Sequence, residues 1–101
     1  MKNIFSILGE NYKFNPDTAL FVDVSLKDQI LYEDIIQITN KNNSNDLCVD
    51  IGWYGGDVET GYFRIVVIKD EDWEKPIYSK TARSVEQLEI YLKQSLAYLK
   101  V

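Results

Sequence analysis

Acidic side chains concentrate in residues 46–75, which we call the acidic segment. It holds eight carboxylates and three basic residues, so its net charge of −5 equals that of the whole chain. The carboxylates belong to Asp46, Asp50, Asp57, Glu59, Asp70, Glu71, Asp72 and Glu74. Concentrated negative charge raises the local potential and steers a basic partner toward the surface. The sequence therefore predicts an acidic contact surface.

Aromatic side chains accompany these carboxylates. Trp53, Tyr54, Tyr62 and Phe63 flank a predicted hairpin turn, and Trp73 lies in the acidic run that follows. For Trp53 and Phe63 we expect cross-strand packing. Tyr54 and Trp73 fit either packing or a protein interface, where aromatic rings give large contact area with few rotors to freeze. The predicted partner-binding residues are Tyr54, Asp57, Glu59, Asp70, Glu71, Asp72, Trp73 and Glu74.

Catalysis has few candidate residues in this sequence. The chain has no histidine, the commonest general base near neutral pH and the commonest metal ligand. Cys48 lies in an apolar strand pattern with no histidine to activate its thiol, so we expect a buried structural role. Asp50, Asp57 and Glu59 could meet around the hairpin, which keeps a carboxylate hydrolase as the least favoured interpretation. The sequence therefore predicts that this protein has no catalytic residues.

A calcium loop is imitated by Asp70, Asp72 and Glu74, which alternate like its first three ligands. The match to a calcium loop fails at Lys75, where that loop has glycine, and at Thr81, where it has a bidentate Glu. We therefore expect a solvated turn, with no metal site and no cofactor.

Length and composition fit one domain, residues 1–101. Hydrophobic residues make up 46% of the 101, which is ample for a core. A net charge of −5 disfavours direct binding to nucleic acid, which relies on Lys and Arg at phosphates. No apolar run approaches the roughly 18 residues of a membrane span, and Glu10 ends the first run too early for a signal peptide. With Cys48 as the only cysteine, we expect a cytoplasmic protein.

The first half of the chain gives the weaker structural pattern. Phe5 and Leu8 predict the inner face of a short helix closed by Gly9. Alternating apolar residues predict a strand over residues 20–26. Asn40–Asp46 is rich in residues that favour turns, and predicts a solvated connector.

Residues 30–38 fit two structures. Asp28 offers an N-cap, and Leu31, Ile35 and Ile38 recur at helical spacing, which favours a helix. Ile36 and Ile38 also alternate, which is typical of a strand.

The second half predicts three strands and a helix. The strands are Leu47–Tyr54, Tyr62–Ile68 and Ile77–Thr81, with three glycines in the loop between the first two. Ser84 and Gln87 form a capping box before an apolar stripe over residues 85–99. Arg64 is expected to pair with Asp50 across the hairpin. The predicted fold class is α+β: an antiparallel β-meander packed against a C-terminal helix, with one or two further helices in the N-terminal half.

Four segments carry a resemblance that covers residues 47–99: Asp50–Tyr54, Gly61–Ile68, Asp72–Ile77 and the helix start Ser84–Leu88. In layout the chain resembles small bacterial immunity proteins, the cognate inhibitors encoded beside polymorphic toxins, including those of contact-dependent growth inhibition systems. The resemblance implies a stoichiometric cytoplasmic inhibitor, not an enzyme, whose partner is a toxin domain, often a nuclease. The sequence does not specify the oligomeric state.

The acidic segment is consistent with that implication, because a nuclease needs a basic cleft that carboxylates could occupy in place of phosphates. The alternative is a small cytoplasmic interaction adaptor unrelated to toxins.

Overall fold

The described part of the chain contains a five-stranded antiparallel meander and one α-helix. The computed structural model describes residues 2–16, 18–29, 31–41 and 46–99. The strands follow chain order in the sheet: β1 Tyr12–Asn15, β2 Ile36–Asn40, β3 Leu47–Tyr54, β4 Tyr62–Lys69 and β5 Tyr78–Ala82. Helix α1 is Val85–Leu99, and short 3-10 helices cover Ile4–Ile7, Gly9–Asn11 and Leu26–Asp28. The α+β prediction is confirmed.

The β3–β4 hairpin is the centre of the sheet. Its register pairs Trp53 with Phe63, Ile51 with Ile65, and Val49 with Val67, and all six side chains are buried. The rings of Trp53 and Phe63 meet edge to face, with centroids 4.9 Å apart, as expected for cross-strand packing. Because strand side chains alternate between faces, these pairs make one face of the hairpin continuously apolar.

Helix α1 covers that apolar face, contacting β3, β4 and β5. Its predicted stripe is buried: Val85, Leu88, Leu92, Leu96 and Leu99. The helix begins after Ser84, whose Oγ accepts a hydrogen bond from the Gln87 amide at 3.1 Å. The Gln87 side chain in turn accepts from the Arg83 amide at 3.2 Å, so the reciprocal bond of the capping box reaches one residue further back than predicted. No helix of the described residues is long and apolar enough to cross a membrane.

The N-terminal segment contributes Ile4, Phe5 and Leu8 to the same core. Ile4 and Phe5 are buried in the Ile4–Ile7 turn, and the Asn3 side chain accepts hydrogen bonds from the amides of Phe5 and Leu20, both at 3.1 Å. Gly9 follows with a φ of +57°, so the short predicted helix exists as 3-10 turns rather than an α-helix.

The predicted strand over residues 20–26 was wrong. Apart from an isolated bridge between Phe21 and Asn3, these residues form turns. The Gln29 side chain supplies the reason: it accepts from the Phe21 amide and donates to the carbonyls of Phe21 and Val24, at 3.2, 2.6 and 3.0 Å. A local side chain thus satisfies the backbone groups that a strand would pair with a neighbouring strand.

The favoured helix over residues 30–38 was also wrong, and the strand alternative was correct from Ile36 onward. Residue 30 lies outside the described residues. Strand β2 pairs with both β1 and β3 and buries Ile36 and Ile38. This non-local pairing overrides the helical spacing, and Asp28 belongs to a 3-10 helix instead of capping an α-helix.

Two predicted connections join neighbouring strands. The connector Asn40–Asp46 lies between β2 and β3, although residues 42–45 are outside the described residues. In the β3–β4 loop, Gly55 and Gly56 have φ values of +91° and +85°. Gly61 does not need positive φ; it is required because the Trp53 ring lies against its Cα.

The packing of α1 can be tested with Leu92→Ala. Leu92 is fully buried, so the substitution should lower the free energy of unfolding by about 2 to 5 kcal/mol. The matched control is Ile90→Ala on the same helix, where 54% of the side chain is exposed and the loss should be small. Urea unfolding measures both, and equal losses would contradict the assigned helix face.

Candidate functional site

The sheet face opposite α1, which we call the open face, is polar and aromatic. On β2, β3 and β4 the open-face side chains alternate along each strand with those of the core. These open-face residues are Gln37, Thr39, Cys48, Asp50, Tyr54, Tyr62, Arg64, Val66 and Ile68. Val66 and Ile68 are nevertheless only 4% and 2% exposed. Something other than the helix must therefore cover this part of the open face.

The β4–β5 loop provides that cover. Asp70 and Glu71 both have left-handed backbone conformations, with φ of +53° and +61°, which turn the chain sharply after β4. The Asp70 amide also donates to the Asp46 carbonyl at 3.1 Å, which joins this loop to the end of the β2–β3 connection. Trp73 follows and lines the same cavity as Val66 and Ile68, with half of its own surface exposed.

Two adjoining cavities lie beneath this loop, and together we call them the open-face groove. The first has a volume of about 270 Å³ and is lined by Asp34, Gln37, Asp50, Tyr54, Arg64, Val66, Ile68 and Trp73. The second, of about 490 Å³, shares Gln37, Ile68 and Trp73 and adds Thr39, Asp46, Leu47, Cys48, Asp70 and Glu71. Among these described residues are five carboxylates and one guanidinium. The groove is therefore acidic.

Asp50 is the most deeply placed carboxylate of the groove. The residue is 7% exposed, and its Oδ1 atom has no hydrogen-bond partner. Burial is the main cause of a raised pKa at Asp50, and the negative charge of Asp34 raises this pKa further. A side-chain hydrogen bond from Gln37 and the positive charge of Arg64 lower the pKa and partly offset the rise. An acceptor left unpaired in this way has a free-energy cost that a donor from outside could remove.

The expected ion pair between Arg64 and Asp50 is not formed between these described side chains. Arg64 lies opposite Gly52 in the register, two residues along from the position opposite Asp50. Its exposed guanidinium lines the first cavity and acts on the carboxylate through its charge rather than through a direct contact. The buried carboxylate thus keeps an unused acceptor.

Gly52 allows the chain to approach this site closely. A Cβ at Gly52 would collide with the Glu33 carbonyl oxygen and would lie 3.0 Å from the Tyr54 hydroxyl. The residues before β2 cross here, with the Trp53 amide donating to the Tyr32 carbonyl at 2.8 Å. This crossing brings Asp34 to the first cavity. Burial, and then the charge of Asp50, raise the pKa of Tyr54.

The structure brings four of the predicted partner-binding residues into the open-face groove. Tyr54 and Trp73 line its first cavity, and Trp73, Asp70 and Glu71 line its second. Asp72 and Glu74 are exposed in the same loop but do not line either cavity.

Asp57 and Glu59 lie at the other end of the hairpin. Because an antiparallel strand rises about 3.4 Å per residue, the two ends of β3 are about 24 Å apart. Asp57 is occupied within its own loop, accepting from the Thr60 amide, the Thr60 hydroxyl and the Glu59 amide at 2.9, 2.8 and 3.0 Å. The Thr60 bonds, above all, lower the pKa of Asp57. The acidic segment therefore forms two separate groups of carboxylates.

The carboxylate pair considered for a hydrolase is not assembled around the hairpin. Asp50 lies in mid-strand, about 14 Å along β3 from the loop that carries Asp57 and Glu59. Cys48, half-buried and unpaired with any cysteine, lines the second cavity. Burial raises the pKa of its thiol, which disfavours the reactive thiolate.

Asp34 and Gln37 belong to the groove but were missed from the sequence. Both fall within residues 30–38, for which a helix was favoured, and neither was among the predicted partner-binding residues. The alternation of Ile36 and Ile38 was the signal that could have placed Gln37 on a sheet face beside Asp50.

The chain matches no protein-family model, and no curated protein or solved structure matches it.

The buried state of Asp50 predicts a specific pH dependence. A raised pKa means that the native state holds this proton to higher pH than the unfolded chain, so stability falls as pH rises from the unfolded pKa through the folded one. Asp50→Asn cannot titrate. The free energy of unfolding of the wild type should therefore decrease relative to this variant between pH 4 and pH 7, as measured by urea unfolding.

Asp72→Asn, which removes an exposed carboxylate of the β4–β5 loop, is the matched control for the loss of one charge. A wild type that gained stability over Asp50→Asn as pH rises would contradict the assignment of Asp50 as a buried, incompletely paired carboxylate.

Proposed function

We propose that this protein is an immunity protein, which binds a cognate toxin domain, a nuclease by expectation, and blocks its active site with an acidic surface. The observation that carries the proposal is the open-face groove, which five carboxylates line together with the half-exposed Trp73. The groove supplies both the charge and the apolar area that a specific protein interface needs. The layout resemblance of residues 47–99 to immunity proteins supplies the biological class.

Charge complementarity supports a nuclease as the partner. An enzyme that cleaves nucleic acid attracts phosphates with Lys and Arg, so its cleft attracts carboxylates as well. Asp70 and Glu71 line the groove, and Asp72 and Glu74 extend the negative surface beside it. Binding here would exclude nucleic acid by occupying the same basic surface.

The size of a standard interface favours one centre of contact. About 800 Å² per partner is usual for a specific complex, which corresponds to a circular patch roughly 32 Å across. A patch centred on Trp73 covers the groove and the β4–β5 loop. The loop of Asp57 and Glu59 follows the far end of β3, which is about 24 Å long, and therefore lies outside a patch of this radius.

Co-expression with the product of the adjacent reading frame tests the proposal. We expect that product to be toxic alone and harmless together with this chain, and the two to copurify. A neighbouring product that binds without being toxic would support the adaptor alternative. Absence of both toxicity and binding would refute the immunity function.

The β4–β5 loop should control the rate of association. Replacing Asp70, Asp72 and Glu74 by lysine should slow association with the toxin domain far more than it lowers stability, because exposed charges steer encounters but stabilise folds weakly. The matched control reverses Glu10, Asp28 and Glu86, which are exposed elsewhere. Stopped-flow mixing at low and high salt measures both rates, and equal slowing by the two variants would place the contact outside this loop.

Trp73 should instead control dissociation. With half of its surface exposed above the groove, the indole is available as an anchor. Trp73→Ala should weaken the complex by about 2 kcal/mol or more, mainly through faster dissociation. Tyr32→Ala, which removes an aromatic ring that is 65% exposed and does not line the groove, is the control. Surface plasmon resonance separates the two rates, and an unchanged dissociation rate for Trp73→Ala would remove the ring from the interface.

A further inference from the structure

We infer that the first cavity of the open-face groove is a receptor for one arginine side chain, whose guanidinium is held by the carboxylate of Asp50 beneath Trp73. The inference rests on the proposed function in one respect: the arginine belongs to the bound toxin domain. The lining of the cavity by itself indicates the chemistry of the ligand.

The Asp50 carboxylate offers an unused hydrogen-bond acceptor to a ligand in the cavity. This side chain lines the cavity, is 7% exposed, and has an Oδ1 atom with no hydrogen-bond partner in the described structure. Nearly all buried polar atoms in proteins have a partner, so a lone acceptor at the wall of a cavity points to a donor that is absent. A positively charged donor fits best, because a hydrogen bond between two charged groups is stronger than one between neutral groups.

The volume of the cavity limits the size of the ligand. At about 270 Å³, it lies just below the range of about 300 to 1,000 Å³ that is typical of small-molecule and cofactor sites. It adjoins the second cavity through shared residues, Gln37, Ile68 and Trp73. One side chain that enters along the groove fits this arrangement better than a complete cofactor.

The aromatic lining distinguishes arginine from lysine. Tyr54 and Trp73 both line the cavity, and Trp73 is half exposed. A planar guanidinium stacks on aromatic faces and is more weakly hydrated than an ammonium group, so it loses less free energy on entering a partly buried site.

The charges that face the cavity allow a cation. Asp34 and Asp50 oppose the single guanidinium of Arg64 among the lining residues. Arg64 repels an incoming cation, yet it makes no direct ion pair with Asp50 in the described structure, so the acceptor stays available. Removing Arg64 should therefore strengthen arginine binding.

Titration of the free protein with Nα-acetyl-L-argininamide tests the site without any toxin. We expect saturable chemical-shift changes at the Trp73 indole and at the amides of Asp50 and Val66, with weaker binding of Nα-acetyl-L-lysinamide. Arg64→Ala should bind the arginine probe more tightly. Asp50→Asn should abolish the saturable changes, whereas the control Asp72→Asn should keep them.

Trp73→Leu is a second variant, useful if Asp50→Asn does not fold, and it should weaken the arginine probe more than the lysine probe. Shifts that do not saturate, or that persist unchanged in Asp50→Asn or in Trp73→Leu, would overturn the inference.

The same variants separate this inference from the proposed function. If both hold, Asp50→Asn should weaken the toxin complex about tenfold or more. If Asp50→Asn leaves toxin affinity unchanged while lysine at Asp70, Asp72 and Glu74 slows association, the arginine site is refuted and the immunity function stands. If the adjacent product is neither toxic nor bound, yet the arginine probe binds through Asp50, the immunity function fails and the arginine site stands.

Discussion

The register of the β3–β4 hairpin determines the rest of the structure. Three consecutive cross-strand pairs, beginning with Trp53 and Phe63, face α1 and form the middle of the core. Side chains alternate with a period of two, so a slip of one residue in either strand would turn the core residues of that strand to the other face. It would bring Asp50 under the helix if β3 slipped, or Arg64 if β4 slipped. Burying either charge without a partner in an apolar core would be strongly unfavourable.

The same register creates the open-face groove. Placing Ile51 in the core places Asp50 on the other face, beside Val66 and below the loop that carries Trp73. The protein thus has a main apolar core under α1 and a smaller buried patch of Val66 and Ile68 under the β4–β5 loop. A carboxylate kept at the edge of that patch costs stability, which is typical of residues retained for binding rather than for folding.

Strong amphipathic periodicity made part of the fold predictable. The bounds of β3 and α1 follow the apolar alternation and the apolar stripe, because both elements bury one face. The predictions for residues 20–26 and 30–38 were wrong. The Gln29 side chain determines the structure of the first segment, and the non-local pairing of β2 determines that of the second. The continuous acidic segment gave no sign that its carboxylates separate to opposite ends of the hairpin. Only the sheet, which places Asp34 and Gln37 beside Asp50, defines the groove.

Nuclear Overhauser effects from the Trp73 indole test whether the hairpin register and the β4–β5 loop together form a groove on the open face. We expect contacts from the ring protons to the methyl groups of Ile68 and Val66, and none to those of Ile51 or Ile65 on the core face. The same spectra should show a nuclear Overhauser effect between the Hα protons of Trp53 and Phe63, which lie directly opposite each other in the register. Contacts from Trp73 to neither open-face methyl, with indole shifts like those of an unfolded chain, would contradict the groove and the function argued from it.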